Sequence, residues 1–171
     1  LARLEYGVVQ PEPENFSLAE LVQDVFQKFE LAAQSRQQHL VADLPPALPI
    51  VQADLAMIER VLTNLLDNAL RHTPAGGTIE VRLRPAAGRV EVQVSDTGPG
   101  VAAHLHQALF TRPLFNTGER EGPGGLGLLI VRRILQLHGS DIRLIKQHER
   151  GAAFRFQLHT PTSYHESLNS A

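Results

Sequence analysis

An α/β two-layer sandwich, with a mixed and mainly antiparallel sheet and about three helices on one face, is the fold class the sequence predicts. Three observations predict it. Two segments repeat apolar residues at helical spacing: Leu18, Leu21, Val22, Val25 and Phe29 in one, Ile58, Leu62, Leu65 and Ala69 in the other. Two later segments alternate instead. Ile79, Val81 and Leu83 interleave with Glu80, Arg82 and Arg84, and Val90, Val92 and Val94 follow the Ala86-Ala87-Gly88 turn. That pattern is a hairpin with one buried and one wet face. A third apolar helix and short closing strands complete a set in which each element must bury its apolar side against another.

In chain order, Pro11 and Pro13 forbid helix continuation, so residues up to Asn15 read as a helix remnant and linker, with structure starting at Phe16. Ser17 with Glu20 makes a capping-box pattern, and Phe16 with Leu21 a hydrophobic staple, opening a helix to about Gln37. Leu40-Val41 and Ile50-Val51, separated by Pro45, Pro46 and Pro49, are short strands. Asp54 is a good N-cap for a second helix, which ends at Thr73 before Pro74 and Gly76-Gly77. After the hairpin, residues 97–125 carry repeated Pro and Gly and little periodicity, a long loop of the kind that is usually functional. A third helix runs from about Leu126 to His138 and is stopped by Gly139. Strands near 142–146 and 154–158 close the domain, and the polar tail over 160–171 is expected to be disordered.

Composition narrows the function classes. The 171 residues suit one domain with a proper core, 43% hydrophobic and 20% charged. Sixteen Lys and Arg against eighteen Asp and Glu leave a net charge of −2, which gives no electrostatic basis for binding nucleic acid or a membrane surface. The absence of cysteine excludes disulfides and thiolate metal sites. The most apolar stretch, 126–137, is broken by Arg132 and Arg133 and is too short to span a bilayer. Opening on Leu1 without a signal peptide, the chain reads as a piece of a longer protein.

Three motifs carry the chemistry: Asn64-Leu65-Leu66-Asp67-Asn68, then Asp96-Thr97-Gly98-Pro99-Gly100, then Gly122-Pro123-Gly124-Gly125-Leu126-Gly127. At about 100° per residue, Asn64, Asn68 and Arg71 share roughly a 60° sector of the second helix. By itself that sector could be the polar flank of a half-buried helix. Asparagine has no structural reason to recur mid-helix, however, and its amide oxygen is a hard ligand suited to Mg²⁺. Asp96 could be an ordinary strand-to-turn aspartate, or an acceptor for an adenine amine with glycines letting the base approach the backbone. The glycine run could be a flexible loop, or a helix start whose free N–H groups attract phosphate. It is neither a Rossmann fingerprint nor a P-loop.

As an ordered set, these segments resemble the ATP-binding catalytic domain of two-component sensor histidine kinases, of the Bergerat-type ATP-binding superfamily. Residues 60–74 resemble the family's N box, 96–100 its G1 box and 122–131 its G2 box, while Leu109-Phe110 begins something like its F box. Leu137-His138-Gly139 and Phe154-Arg155-Phe156 also look like family text. The resemblance implies that 1–15 are the end of a dimerisation and phosphotransfer hairpin helix plus linker, and that 16–159 are the ATP-binding domain, with a lid over about 110–124. It implies ATP and Mg²⁺ as cofactors. Asn68 would ligate Mg²⁺, Asn64 would help hold metal or phosphates, and Arg71 would contact phosphate. His72 would lie against the adenine and Asp96 would read its amine. Gly98 and Gly100 would shape the base pocket, and Gly125, Leu126 and Gly127 would approach the phosphates. Two departures stand out: Pro113 replaces the F box's second aromatic, Phe115 lying further on, and Pro123-Gly124 replaces the usual Gly-Thr or Gly-Ser. No lid contact is therefore assigned to Arg112 or Arg120.

Gyrase-like, mismatch-repair and chaperone ATPases share the fold but usually carry a general-base glutamate where Asn64 stands. A carboxamide cannot take a proton from water, so Asn64 argues for phosphoryl transfer to another acceptor. None of the eight histidines has the context of the family's phosphoacceptor. His39, His104, His106, His138, His148, His159 and His165 read as surface or packing residues, and His104-x-His106 is not read as a metal pair. The implied function is autophosphorylation of a histidine outside this chain, making this the catalytic part of a histidine protein kinase. Implied partners are its own helical hairpin, a response regulator and a second copy in the full-length protein. The piece itself would be monomeric, without nucleic acid, on the cytoplasmic side of an inner-membrane sensor. The alternative is an anti-sigma-type or degenerate nucleotide-binding interaction module.

Overall fold

The structure, a computed structural model, describes residues 10–98, 123–145 and 151–162. The chain runs β1 (Glu14–Phe16), α1 (Leu18–Ser35), β2 (His39–Asp43), β3 (Val51–Ala53), α2 (Leu55–His72), β4 (Thr78–Ala86), β5 (Arg89–Asp96), α3 (Pro123–Leu137), β6 (Arg143–Ile145) and β7 (Ala152–His159). The main sheet has the order β2-β4-β5-β7-β6, with β2 parallel to β4 and the other pairs antiparallel.

Alternation decides which face of this sheet is covered. Ile79, Val81 and Leu83 of β4, Val90, Val92 and Val94 of β5, and Phe154, Phe156 and Leu158 of β7 are all buried. Glu80, Arg82 and Arg84 take the opposite face, where Arg82 and Arg84 reach Asp43 at 3.1 and 2.7 Å. The two guanidinium groups hold the Asp43 carboxyl below its usual range, Arg84 foremost. The three helices supply the other half of one continuous core, Leu18, Val22 and Val25 from α1, Ile58, Leu62 and Leu65 from α2, and Leu128, Val131, Ile134 and Leu135 from α3. This is the expected two-layer sandwich.

The helix ends follow local chemistry. Ser17 Oγ accepts from the Glu20 N–H at 3.3 Å and caps α1. Asp54 Oδ1 accepts from the Met57 N–H at 3.0 Å and caps α2, as its position before the apolar repeat predicts. α3 stops where Gly139 turns left-handed, at φ +71°, and the Ser140 N–H folds back to the Leu135 carbonyl at 2.8 Å.

Three boundaries differ from the sequence reading. α1 ends at Ser35 rather than about Gln37, because Gln37 takes the left-handed conformation (φ 57°) while the Gln38 N–H bonds the Ala33 carbonyl at 2.9 Å. Residues 14–16, placed mostly in the linker, form β1 by pairing antiparallel with β3, a tertiary contact with no local signal. α3 starts at Pro123 rather than Leu126, since proline suits a first helical position where no N–H is needed. Residues 1–9 lie outside the described residues, as do 163–171 of the tail.

Candidate functional site

The polar face of α2 is the floor on which the motifs meet. Its apolar positions, Ile58, Leu62, Leu65 and Ala69, are consumed by the core, which turns Asn64, Asn68 and Arg71 to another side. Asn68 is buried, at 8% exposure, and Asn64 and Arg71 are half-buried. Arg71 Nε lies 3.5 Å from Asp67 Oδ2, one turn earlier. Its Nε and Nη2 are nevertheless buried without a hydrogen bond among the described residues. Buried donors normally have acceptors, so these N–H groups suit an added oxygen-rich group.

Asp96 comes to this floor by strand parity. It continues the series Val90, Val92, Val94, so its side chain emerges on the helix-covered side at the end of β5. It is buried, and Oδ1 accepts the Gly98 N–H at 2.8 Å. Burial pushes its carboxyl above the usual range, while the N–H groups of Gly98 and Ala152 and the nearness of His72 pull the other way. Gly98 is required by closeness: a Cβ there would stand 2.4 Å from the His72 carbonyl oxygen and 3.0 Å from Asp96 Oδ1. His72 itself is exposed at the end of α2.

The third motif arrives from α3. Asn64 Nδ2 donates to the Gly127 carbonyl at 3.3 Å. Gly125, Leu126 and Gly127 thus lie in the opening turns of the helix, not in a loop before it. Three motifs distant in sequence meet on one helix, Gly98 against its end and Gly127 against its middle. A hollow between α1 and β2, lined by Phe26, Glu30, Gln34 and His39, contains none of these residues.

Gly100, the lid residues 110–122, Arg112, Phe115, Arg120 and His104, His106, His148 and His165 lie outside the described residues. Pro123 and Gly124, placed at the end of the lid, belong to α3. Among the described residues, no group of three His, Asp or Glu side chains could hold a metal ion alone. No described helix is long and apolar enough to cross a membrane.

Two buried polar side chains outside the motifs complete the surroundings. Gln38 Nε2 donates to the Leu70 and Thr73 carbonyls at 2.7 and 2.5 Å, securing the end of α2 beside His72. His138 is 6% exposed and joins α3 to the start of α2, accepting the Asp54 N–H at Nε2 over 3.0 Å. A glutamine just past a helix carries no signal of this kind. His138 had one, a histidine wedged between an apolar helix and its terminating glycine, and it reads equally as packing.

Residues 53–162 match the family described as "Histidine kinase-, DNA gyrase B-, and HSP90-like ATPase". The chain is 35% identical over 157 residues to the alginate biosynthesis sensor protein KinB of Pseudomonas aeruginosa, covering 92% of this chain but 26% of KinB. It thus spans about a quarter of that relative's length. The catalytic domain of histidine kinase ThkA superposes with a TM-score of 0.80 at 30% identity, over 89% of this chain and 99% of that domain. ThkA is also known in complex with the response regulator TrrA. Full-length ShkA in complex with AMPPNP gives a TM-score of 0.81 at 27% identity, over 93% of this chain and 34% of ShkA. With its motifs in order on the matching fold, the chain belongs to the histidine kinase-, DNA gyrase B- and HSP90-like ATPase family, as a catalytic domain of the sensor histidine kinase kind.

Proposed function

We propose that this chain binds Mg-ATP on the polar face of α2 and supplies the γ-phosphoryl group to a histidine outside it, within a two-component signalling kinase. The observation that carries the reading is the convergence on that face: Gly98 packed against the His72 carbonyl, and Gly127 bonded to Asn64. Asp96 accepts from the adenine exocyclic amine, with Gly98 and Gly100 shaping the pocket and His72 against the base. Arg71 offers the buried Nε and Nη2, which make no hydrogen bond among the described residues, to phosphate oxygens. Gly125 brings a first-turn N–H of α3 to the phosphates, with Leu126 and Gly127 approaching them beside it.

The donor set fits Mg²⁺. Asn64 spends an Nδ2 hydrogen on Gly127, which leaves its Oδ1, with that of Asn68, as a hard oxygen ligand. Asn68 would hold the ion and Asn64 would hold it or the phosphates. When bound, the ion neutralises phosphate charge. The residues of this chain then contribute by positioning and by aimed N–H dipoles. In the transfer, the bond from the γ-phosphorus to its bridging oxygen breaks, ADP leaves, and a bond to an imidazole nitrogen forms. AMPPNP in ShkA and the response regulator bound to ThkA support the nucleotide and the downstream partner. The hairpin carrying the acceptor imidazole, the homodimer and a cytoplasmic position under an inner-membrane sensor belong to the whole protein.

Calorimetric titration with Mg²⁺ and a non-hydrolysable ATP analogue tests this. Wild type should bind with a Kd on the order of 1–100 µM. A hydrogen bond to a charged group is worth about 1.5–3 kcal/mol, so Asp96→Ala should weaken binding about tenfold or more. A folded wild-type chain that binds no analogue overturns the proposal and favours the interaction module.

A further inference from the structure

Among the described residues, α2 packs more extensively on α3 than on α1, and the two are bonded at two points. At one end the Asp54 N–H donates to His138 Nε2 at 3.0 Å; at the other Asn64 Nδ2 donates to the Gly127 carbonyl at 3.3 Å. The early part of each helix therefore meets the later part of the other, and the pair runs antiparallel. The two arms are matched. From Asp54 to Asn64 is about 15 Å and from His138 back to Gly127 about 16 Å, at about 1.5 Å per residue.

His138 is built for this contact. Nε2 accepts from Asp54, so its hydrogen sits on Nδ1, which lies 2.8 Å from the Ile134 carbonyl and donates to it. Both ring nitrogens are used and one neutral tautomer is fixed. Asp54 is saturated as well. Its carbonyl accepts the Ile58 N–H at 2.9 Å, Oδ1 accepts from Met57, and Oδ2 accepts the Glu12 N–H at 2.8 Å.

We propose that His138 is a positioning residue for the nucleotide site, clasping the end of α3 to the first turn of α2 through Asp54, so that the glycine-rich start of α3 stays in register with Asn64. The proposal rests on the nucleotide reading above. Leverage gives it force: a pivot of about 4° at one end of a 15 Å arm displaces the other by about 1 Å, and a misplacement of that size can cost on the order of 10²-fold in rate.

The test uses the whole chain as wild type, His138→Gln and His138→Leu. Glutamine keeps an acceptor; leucine keeps apolar volume without one. Amide exchange without nucleotide reads the clasp, and titration with Mg²⁺ and the ATP analogue reads the site. In the leucine variant, amides of 128–131 should exchange about tenfold faster and the analogue should bind about tenfold more weakly, with glutamine within about threefold of wild type on both. Leucine close to wild type with glutamine impaired is the signature of a space-filling histidine and overturns the proposal, as does unchanged exchange in both variants. If the leucine variant does not fold, glutamine alone decides, and a tenfold loss there overturns it. Should wild type bind no analogue, the nucleotide reading fails while the exchange pattern still decides the clasp.

Discussion

A carboxylate at the end of a strand is usually solvated, but Asp96 is buried against the end of α2. Burial raises its pKa above the usual carboxylate value of 3.8, only partly offset by the N–H groups of Gly98 and Ala152 and by His72. The linkage sign follows. Between 3.8 and the raised folded value, the native state binds more protons than the unfolded one, so stability falls as pH rises through that window. Urea unfolding of wild type and Asp96→Asn over pH 4 to 7 should therefore show wild type gaining relative to the variant as pH falls. A difference independent of pH would mean the carboxyl is not held against its charge. That tension is legible in part from sequence, because parity with Val90, Val92 and Val94 turns Asp96 inward and Gly98 marks a close approach. The two buried Arg71 nitrogens without a hydrogen bond and the Gln38 bonds to Leu70 and Thr73 were not legible, since they depend on where other elements end.

At the scale of elements, periodic segments and their caps were readable because each is written within one turn or one strand. Asp54 before the α2 repeat and Gly139 after α3 are examples. Elements made by partners were not: β1 exists because β3 lies beside it, and α1 stops early where the Gln37 carbonyl accepts the Gly76 N–H and the Gln38 side chain reaches Leu70 and Thr73. Asp54 combines both kinds, capping α2 with Oδ1 and holding the linker at Glu12 with Oδ2. Asparagine caps about as well as aspartate but has only one side-chain acceptor. Asp54→Asn should thus keep stability within about 0.5 kcal/mol while the Glu12 amide loses protection, whereas Asp54→Ala should lose about 1 kcal/mol more through the cap. Urea unfolding and amide exchange read the two effects separately. Full protection of the Glu12 amide in Asp54→Asn would show that one side-chain oxygen serves both contacts.

At the scale of the whole molecule, one corner gathers two groups sensitive to acid. His138 and His159 are both buried, and burial is the main cause that lowers both pKa values below 6.5. Arg89 and His138 lower His159 further, while the Gly139 backbone opposes; for His138, the Ile134 carbonyl and Asp54 oppose. The His159 ring lies beside Gly139, the residue after His138, where a Cβ would stand 3.7 Å from His159 Nε2. This corner joins the end of α3, the cap of α2 and the end of β7. Groups with lowered folded pKa bind protons more readily when unfolded, so their stabilisation is complete above 6.5 and is lost as pH falls through the folded values. Asp96 contributes the opposite sign over its own window above 3.8, one group against two histidines. Stability measured by urea unfolding should fall from pH 7 to 5 with an uptake of up to about two protons on unfolding. His138→Gln and His159→Gln should each remove about one of them. Because His138 ceases to accept from Asp54 once protonated, amide exchange at the start of α3 should quicken over the same range in wild type but not in His138→Gln. A flat stability profile, or exchange that ignores pH, would place the acid sensitivity elsewhere in the molecule and leave the corner a purely apolar joint.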